Sequence, residues 1–318
     1  MDLLADVLSV GGVRGTLGAR IEGAEPWAVN WTDVRGAAFY AVTAGSVWLD
    51  VPGHDLVHLL AGDVVLLPTG AGHTISSEPH TRAPQCDAVA VERARLAGDV
   101  VQLGHGEVQT HLLGASYTHD PAVSTQVLAQ LPDIVHLRAE SGANCLSDSI
   151  RLLTRELAYP QLATSVVLDR MVDILLIQFL RVWLAHRPED AKDTWLGVLE
   201  DPLLTAALTK LHTAPARPWT TELLAAELGV SRATLTRRFV GTTGKAPGAY
   251  LTQWRMDLAA RRLRDSHDTL DAIARSVGYT TPYAFSRAFT RSRGQSPGRY
   301  RVTARAEAEQ QTDTYSTA

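Results

Sequence analysis

The chain has 318 residues, 45% of them hydrophobic and 20% charged, with two cysteines and a net charge of −4. This length and composition predict about two folded domains of ~150 residues, and they exclude a mainly disordered chain and a disulfide scaffold. The charge is uneven, because residues 217–305 carry +10, residues 1–216 carry −11 and residues 306–318 carry −3, so a basic module suited to a polyanion follows an acidic part.

The N-terminal part begins without the basic and apolar segments of a secretory signal, which predicts a cytoplasmic protein. Between residues 36 and 90, short runs alternate between apolar and polar residues with the period of two that is typical of strands. Glycines and prolines separate these runs, as in a small antiparallel barrel or sandwich. Aromatic residues on or near these strands are candidate ligand contacts in the barrel interior: Trp31, Phe39 and Trp48. Ordinary core packing of the same rings is the alternative.

His73 ends the run Gly62-x5-Pro68-x-Gly70-x2-His73. This run resembles the second sequence motif of the cupin barrel, where the histidine binds metal together with a His-x-His and a glutamate of a first motif. Residues 36–49, where the first motif is expected, contain neither histidine nor glutamate. Because a single histidine does not make a metal site, we predict no metal and no cofactor, and a structural or ligand-contacting role for His73.

Two amphipathic segments follow the predicted strands. Apolar residues recur at helical spacing within residues 146–158 and, more densely, within residues 165–186. Such helices pack on the barrel or form the seam of a homodimer, and the sequence leaves both arrangements open. The apolar stretch 171–184 contains charged residues and is shorter than the ~20 residues of a membrane span, so we expect no membrane segment.

The basic part of the chain contains an internal repeat. The pattern Phe-x4-Gly-x2-Pro-x2-Tyr starts at Phe239 and again at Phe289. Upstream of each phenylalanine, an apolar helical stretch ends at a glycine, Gly229 or Gly278, and a hydroxyl residue then supplies an N-cap. A helix, a glycine turn and a capped second helix make a helix-turn-helix, so the sequence predicts two such motifs.

The second helix of each motif is predicted to read DNA. Because the apolar residues of each helix face the core, the small, hydroxyl and arginine side chains face outward, as a major-groove reader requires. The outward positions of the first helix, residues 231–240, are Ser231, Arg232, Ala233, Thr236 and Arg237. Those of the second helix, residues 281–291, are Tyr283, Ser286 and Arg287, and its N-cap Thr281 is a further candidate DNA contact. The helix between the motifs, residues 249–264, is predicted to hold the two readers about one turn of DNA, ~34 Å, apart.

The two motifs resemble the DNA-binding domain of the AraC/XylS family of transcriptional regulators. The resemblance rests on GVSRATLTRRF at 229–239 and IARSVGYTTPYAFSRAFTRSRGQSPGRYR at 273–301, and it covers about residues 200–301. It implies two helix-turn-helix motifs joined by one helix, with recognition positions at Arg232, Ala233, Thr236, Arg237, Tyr283 and Arg287. Ala233 is small for a base-reading position, so we expect the first reader to rely more on Arg237.

The acidic part is similar to the sensor domain of a cupin-containing subgroup of the same family. The similarity lies in Val13-Arg14-Gly15, LAGDVVLLP at 60–68, Leu131-Pro132 and Trp195-Leu196. Members of that subgroup carry a cysteine before the glycine that corresponds to Gly114, where this chain has Leu113. Because Cys86 and Cys145 lie elsewhere, the resemblance does not carry thiol-based redox sensing over to this chain, and buried packing is the alternative for both.

We therefore predict an α+β protein with a small, cupin-like N-terminal β-barrel, a helical connector and an all-α C-terminal domain with two helix-turn-helix motifs. The predicted boundaries are 1–140, 141–199 and 200–305, followed by a disordered tail at 306–318. The predicted function is that of a transcriptional regulator, not an enzyme; activator is the label we assign, while the sequence leaves activation and repression open. Its predicted partners are half-sites in double-stranded promoter DNA, a second copy of the chain and a small-molecule effector. A contact with RNA polymerase is compatible with this interpretation.

Two alternative functions stay open at this point. One is a cupin-type metalloenzyme with a nucleic-acid-binding appendage, which requires the full set of metal ligands that the sequence lacks. The other is a ligand-independent DNA binder whose barrel serves for dimerisation. The sequence identifies neither the effector nor the target promoter.

Overall fold

The computed structural model of the chain describes residues 2–32, 36–82, 100–118, 127–139, 144–186 and 195–316. It divides the chain into two compact units, each assembled from separate segments. The sheet unit consists of residues 14–118 and 131–188, and the helical unit consists of residues 1–13, 119–130 and 189–318. Cys86 lies outside the described residues, while Cys145 is exposed.

The strands of the sheet unit form a six-stranded and a four-stranded sheet. They are β1 Arg14–Ala24, β2 Ala28–Trp31, β3 Ala37–Ala44, β4 Ser46–Asp50, β5 Val57–Leu60, β6 Val64–Leu67, β7 His73–Ser76, β8 Val100–Gly104, β9 Thr110–Thr118 and β10 Val135–Leu137. The larger sheet has the order β10-β6-β3-β9-β1-β8 and the smaller one the order β2-β7-β4-β5. The pairing is antiparallel as predicted, except that β1 and β8 run parallel in the described part of the chain.

The apolar core of the sheet unit lies between the two sheets. Alternate residues of each strand face the opposite sheet, because successive side chains of a strand point to opposite faces. Tyr40 and Val42 of β3 therefore meet Val47 and Leu49 of β4 in this core. The burial alternates in this way along β4, whereas β3 over most of its length and β6 are buried on both faces.

Two helices complete the sheet unit, α2 Asn144–Ala158 and α3 Thr164–His186. Helix α3 packs on β1 at Gly15, where an added Cβ atom would lie 2.5 Å from Cγ1 of Val172. The backbone N–H of Gly15 donates to Oδ1 of Asp173 over 2.7 Å, and Oη of Tyr117 donates to the carbonyl oxygen of Val172 over 2.8 Å. Close packing and buried hydrogen bonds therefore make α3 an integral part of the sheet unit.

The helical unit contains the remaining helices. They are α1 Leu3–Val10, α4 Pro202–Thr213, α5 Thr221–Glu227, α6 Arg232–Thr243, α7 Pro247–Asp265, α8 Leu270–Ser276, α9 Pro282–Arg293 and α10 Pro297–Ser316, with 3₁₀ segments at Leu128–Gln130 and Trp195–Glu200. Helix α1 buries Leu3, Leu4 and Leu8, and it packs on α4 and α7. Residues 1–13, which the sequence analysis assigns to the N-terminal domain, therefore group with the helical unit.

The last helix is longer than the sequence analysis expects. Helix α10 continues to Ser316, whereas we predicted a disordered tail from residue 306. The run Ala-Arg-Ala-Glu-Ala-Glu-Gln-Gln at 304–311 consists of strong helix formers. Its backbone propensity therefore extends the helix even though the segment has few apolar side chains.

Two helix-turn-helix motifs lie in the helical unit, α5 with α6 and α8 with α9. Gly229 and Gly278 make their turns with φ of 68° and 82°, in the left-handed region that favours glycine. Ser231 and Thr281 cap the second helices, because their Oγ atoms accept the N–H groups of Thr234 at 3.1 Å and Ala284 at 3.2 Å. The predicted α+β class and pair of motifs are thus confirmed.

The described part of the chain contains no helix that is both long enough and apolar enough to cross a membrane.

Candidate nucleic-acid interface

Helix α6 presents the first set of predicted reading residues. Leu235 and Phe239 are fully buried and fix the inner face of the helix. Ser231, Arg232, Ala233 and Arg237 are exposed on the other side, and Thr236 is half-buried. Arg237 has no ion-pair partner among the described residues, so its five N–H donors are free to meet a base edge or a phosphate.

Arg232 is partly engaged within its own motif. Its Nη1 lies 2.7 Å from Oε1 of Glu222 on α5. The pKa of Glu222 is lowered, first by a hydrogen bond from its own backbone and further by the charge of Arg232. Both side chains are well exposed, so the pair is weak and a phosphate can compete for the guanidinium. Glu222 is therefore a neighbour of the interface that the sequence analysis did not single out.

Helix α9 presents the second set. Phe285 and Phe289 are fully buried, while Thr281, Tyr283 and Arg287 are exposed. The side chain of Tyr283 is 72% exposed, and Cζ of Arg287 lies 5.9 Å from the centre of its ring. A cation held over an aromatic ring loses part of its freedom before it binds. The second reader therefore presents a partly ordered arginine next to an exposed ring.

Arg237 and Arg287 occupy the same position in the two copies of the repeat. Each lies two residues before the buried phenylalanine, Phe239 or Phe289, and each is exposed. Arginine is the side chain that most often recognises guanine, through a bidentate pair with O6 and N7. The two copies thus present one guanine-reading group each, from helices of the same local construction.

His73 lies in the interior of the sheet unit with 1% of its surface exposed. Its Nδ1 donates to the carbonyl oxygen of Ala71 over 2.7 Å, so Nε2 accepts from Oη of Tyr40, also over 2.7 Å. Burial lowers the pKa of His73 below its ordinary value, which keeps the ring neutral near pH 7. The ring of Trp31 stacks on the imidazole, with 6.5 Å between the ring centres.

The surroundings of His73 do not suit a metal ion. Both ring nitrogens already have hydrogen-bond partners. Moreover, the described residues contain no group of three His, Cys, Asp or Glu side chains arranged to hold a metal. A structural or ligand-contacting role for His73 stays a prediction.

Two of the predicted ligand contacts lie outside the interior of the sheet unit. Phe39 follows the inward Ala38 and precedes the inward Tyr40, so its ring points to the other face and packs against Phe179 of α3, 5.8 Å away. Trp48 stacks on His58 with 4.2 Å between the ring centres, because it alternates with the inward Val47 and Leu49. The prediction of an interior position therefore differs from the structure at Phe39 and Trp48.

Comparison with known proteins matches both units. The cupin family model matches residues 2–185, and a helix-turn-helix domain model matches residues 224–303. A putative AraC-like transcription regulator of Streptomyces lividans is 37% identical over 303 residues, which cover 95% of this chain and 98% of the relative. The chain belongs to the AraC family.

Two further proteins are similar to the chain. The RCS-specific HTH-type transcriptional activator RclR of Escherichia coli is 26% identical over 312 residues, 96% of this chain and 99% of the relative. The solved DNA-binding domain of AdpA, in complex with a target DNA, is 34% identical, covers 35% of this chain and 98% of that chain, and has a TM-score of 0.33.

Membership of the AraC family confirms the predicted function at the level of class. The protein is a transcriptional regulator that binds DNA through its helix-turn-helix domain, and it is not an enzyme. The match to the cupin model confirms the predicted class of the N-terminal unit. The metalloenzyme alternative loses its support, because relatives that match nearly the whole chain are named transcription regulators.

Sequence reasoning missed Tyr40, the partner of His73. The signal was available, since Tyr40 lies on the same face of β3 as Val42 and Ala38. Only the register between strands, however, brings Tyr40 and His73 together, because they are 33 residues apart and lie in different sheets.

Proposed function

We propose that this AraC-family regulator reads two half-sites of a promoter with α6 and α9. Arg237 and Arg287 would contact base edges in the major groove, and Ser231 and Thr281 would meet phosphates at the capped helix ends. The remaining contacts would come from Arg232, Ala233, Thr236 and Tyr283. The observation that carries this proposal is the exposure of matching arginines, Arg237 and Arg287, on matching helices.

We further propose that the cupin unit binds a small-molecule effector at the end of its interior where Trp31 and His73 lie. The indole N–H group of Trp31 is buried and has no hydrogen-bond partner in the described part of the chain. A buried donor without a partner costs about 1–3 kcal/mol, which an acceptor atom of a ligand would recover. We therefore favour an effector that carries oxygen acceptors, and a regulator rather than a ligand-independent DNA binder.

The effector proposal predicts a thermal shift that depends on Trp31. A ligand at about 100 times its Kd stabilises the unit to which it binds by roughly 2.7 kcal/mol, which raises the melting temperature by several degrees. Calorimetry of the full chain with a metabolite panel should give this shift for wild type and for Trp48→Phe, whose ring lies outside the interior. Trp31→Phe should lose it. Equal shifts in all three proteins, or no shift with any compound or with a small-molecule cell extract, would favour the ligand-independent alternative.

We propose that the regulator is a homodimer through α2 and α3. Exposed apolar residues recur at a spacing of seven, Val167 with Ile174 on α3, and Leu152 of α2 with Tyr159 directly after its end. Such spacing lines up one face of a helix, as at a helix–helix seam. Leu162, in the connection between the two helices, is 99% exposed. Exposed apolar groups in this number favour burial against a second copy.

Sedimentation analysis of the full chain tests the dimer. Ile174→Glu should shift the protein to monomer at concentrations where wild type is dimeric, because a carboxylate would be buried in the seam. Leu60→Glu, which changes an equally exposed apolar residue on β5, is the matched control and should remain dimeric. A dimer that survives Ile174→Glu would rule out this seam.

We also propose a cytoplasmic location and activation of transcription, with RNA polymerase as a partner. The activator role is supported by the similarity to the Escherichia coli relative RclR, which is named a transcriptional activator.

A further inference from the structure

The two copies of the repeat differ at the residue that precedes the left-handed glycine of the reading helix. That residue is Thr243 before Gly244 in the first copy and Arg293 before Gly294 in the second. Both glycines have φ near 70°, at 67° and 72°, so the two helices end in the same backbone conformation. The difference between the copies at this position therefore lies in the side chain.

In the first copy, the side chain closes the helix end on itself. The buried Oγ1 of Thr243 donates to the carbonyl oxygen of Phe239 over 2.7 Å and accepts the N–H of Lys245 over 3.3 Å. The reading helix α6 is held elsewhere, because Nη2 of Arg238 lies 2.7 Å from Oδ2 of Asp201, the N-cap of α4. The ion pair that anchors α6 is therefore on α4, while Phe239 of α6 packs on Tyr250 of α7.

In the second copy, the side chain reaches the helix between the two motifs. Nη2 of Arg293 donates to Oδ1 of Asp257 on α7, and Nε2 of Gln253 donates to the same oxygen over 2.8 Å. The two charged side chains are only 3% and 8% exposed. Nε of Arg293 is buried and has no hydrogen-bond partner in the described residues. Among these residues, the carboxylate of Asp257 is the ion-pair partner of the Arg293 guanidinium. The anchor of α9 is therefore on α7.

The charge of a residue in the first copy, Lys245, also acts on Asp257. Burial raises the pKa of Asp257 to about 6, and the charges of Arg293 and Lys245 act in the opposite direction. Lys245 follows Gly244 at the exit of α6, whereas Arg293 ends α9. The carboxylate thus lies where α7 meets the exits of both reading helices.

We propose that the buried pair of Asp257 and Arg293 fixes α9 on α7 and thereby sets the spacing between half-sites that the regulator accepts. Both residues are positioning residues, because groups with so little exposed surface do not reach DNA themselves. A buried ion pair holds one geometry, since any displacement leaves two charges without compensation in a poorly solvated site. This inference rests on the proposal that both α6 and α9 engage half-sites.

The test uses the full chain and a DNA sequence selected from a random pool. A set of duplexes carries the two half-sites at the selected spacing and with one or two base pairs added or removed. Each base pair moves the second half-site by ~3.4 Å and rotates it by ~34°, so a rigid protein should prefer one spacing. We expect wild type to bind the selected spacing about tenfold more tightly than its neighbours.

The decisive variant is Arg293→Thr, which installs the residue of the first copy. The affinities of this variant for duplexes of different spacing should lie within about threefold of one another. Its affinity for an isolated second half-site should stay within about twofold of that of wild type. Arg275→Thr is the matched control, because it removes an arginine from an exposed ion pair with Asp271 in the same motif. It should change affinity equally at every spacing. Arg293→Lys should keep most of the wild-type preference, since it retains the charge.

Each result decides the proposal. Wild-type spacing preference in both Arg293→Thr and Asp257→Asn would overturn it. Loss of binding at every spacing in both variants, with a lost folded signal in circular dichroism, would also overturn it, because the pair would then support folding rather than spacing. A wild-type protein that ignores the second half-site would instead contradict the proposal of two readers.

Discussion

Replacing Arg287 by alanine should weaken binding to the selected operator by roughly 5- to 150-fold, because a bidentate arginine–guanine pair contributes about 1–3 kcal/mol. The guanidinium is exposed on α9 and lies over the ring of Tyr283, so it reaches a groove without rearrangement of the buried Phe285 and Phe289. The loss should be confined to one base position. Substituting that base in the operator should lower the affinity of wild type as much as the mutation Arg287→Ala does. The same base substitution should lower the affinity of the Arg287→Ala variant only slightly.

Fluorescence anisotropy with matched and substituted duplexes measures both effects at one salt concentration, since affinity for DNA depends steeply on salt. Arg138→Ala is a suitable control, because it removes an exposed arginine that follows β10 in the cupin unit and lies outside the proposed dimer seam. It should leave affinity and selectivity unchanged. If Arg287→Ala bound the operator as tightly and as selectively as wild type, α9 would not be a reading helix.

The construction of the two readers was predictable from the sequence because it is local. A glycine turn, a hydroxyl cap and two buried apolar residues one helical turn apart act within about a dozen residues. The structure gives the helices Arg232–Thr243 and Pro282–Arg293, close to the predicted 231–240 and 281–291. The period of two likewise predicted strands in the cupin unit. These signals depend on neighbouring residues and need no knowledge of the tertiary structure.

The interior of the cupin unit was not predictable to the same extent, because it depends on strand register. Phe39 and Tyr40 are adjacent and both aromatic, yet only Tyr40 faces the core and meets His73. A shift of one residue exchanges their faces, so an aromatic residue on a strand does not reveal its side without the register. The sequence did not predict the placement of α1 for a related reason, because the apolar face of α1 packs on helices some 200 residues further along the chain.

A second consequence of long-range packing concerns His212. Its ring lies parallel to that of Trp254 with 3.7 Å between the centres, and its Nε2 lies 2.9 Å from Oη of Tyr250. Nδ1 is buried, and the nearest acidic group in an ion-pair contact, Oδ2 of Asp6, lies 3.8 Å away. Burial lowers the pKa of His212 from 6.5 to about 3. The His212 ring therefore stays neutral in the folded helical unit over a range of pH in which it is protonated in the unfolded chain.

The sign of the effect on stability follows from this difference. Between about pH 3 and pH 6.5 the unfolded chain binds a proton at His212 that the folded unit does not, so stability falls as pH decreases. The loss from this residue alone should be roughly 2 kcal/mol at pH 5, and it should reach about 4–5 kcal/mol near pH 3. His212→Gln, which keeps an acceptor for Tyr250 but does not titrate, should be less stable than wild type at pH 7 and should lose about 2 kcal/mol less between pH 7 and pH 5.

Hydrogen exchange of amides in α4 and α7 of the full chain measures the opening free energy of the helical unit at both pH values. His267→Gln is the matched control, because it removes an exposed histidine of the same unit, and its pH dependence should follow that of wild type. The comparison of the two variants cancels the titration of the acidic groups they share. A His212→Gln protein with the pH dependence of wild type would mean that His212 becomes protonated in the folded state, and its contact with Asp6 would then be an ion pair.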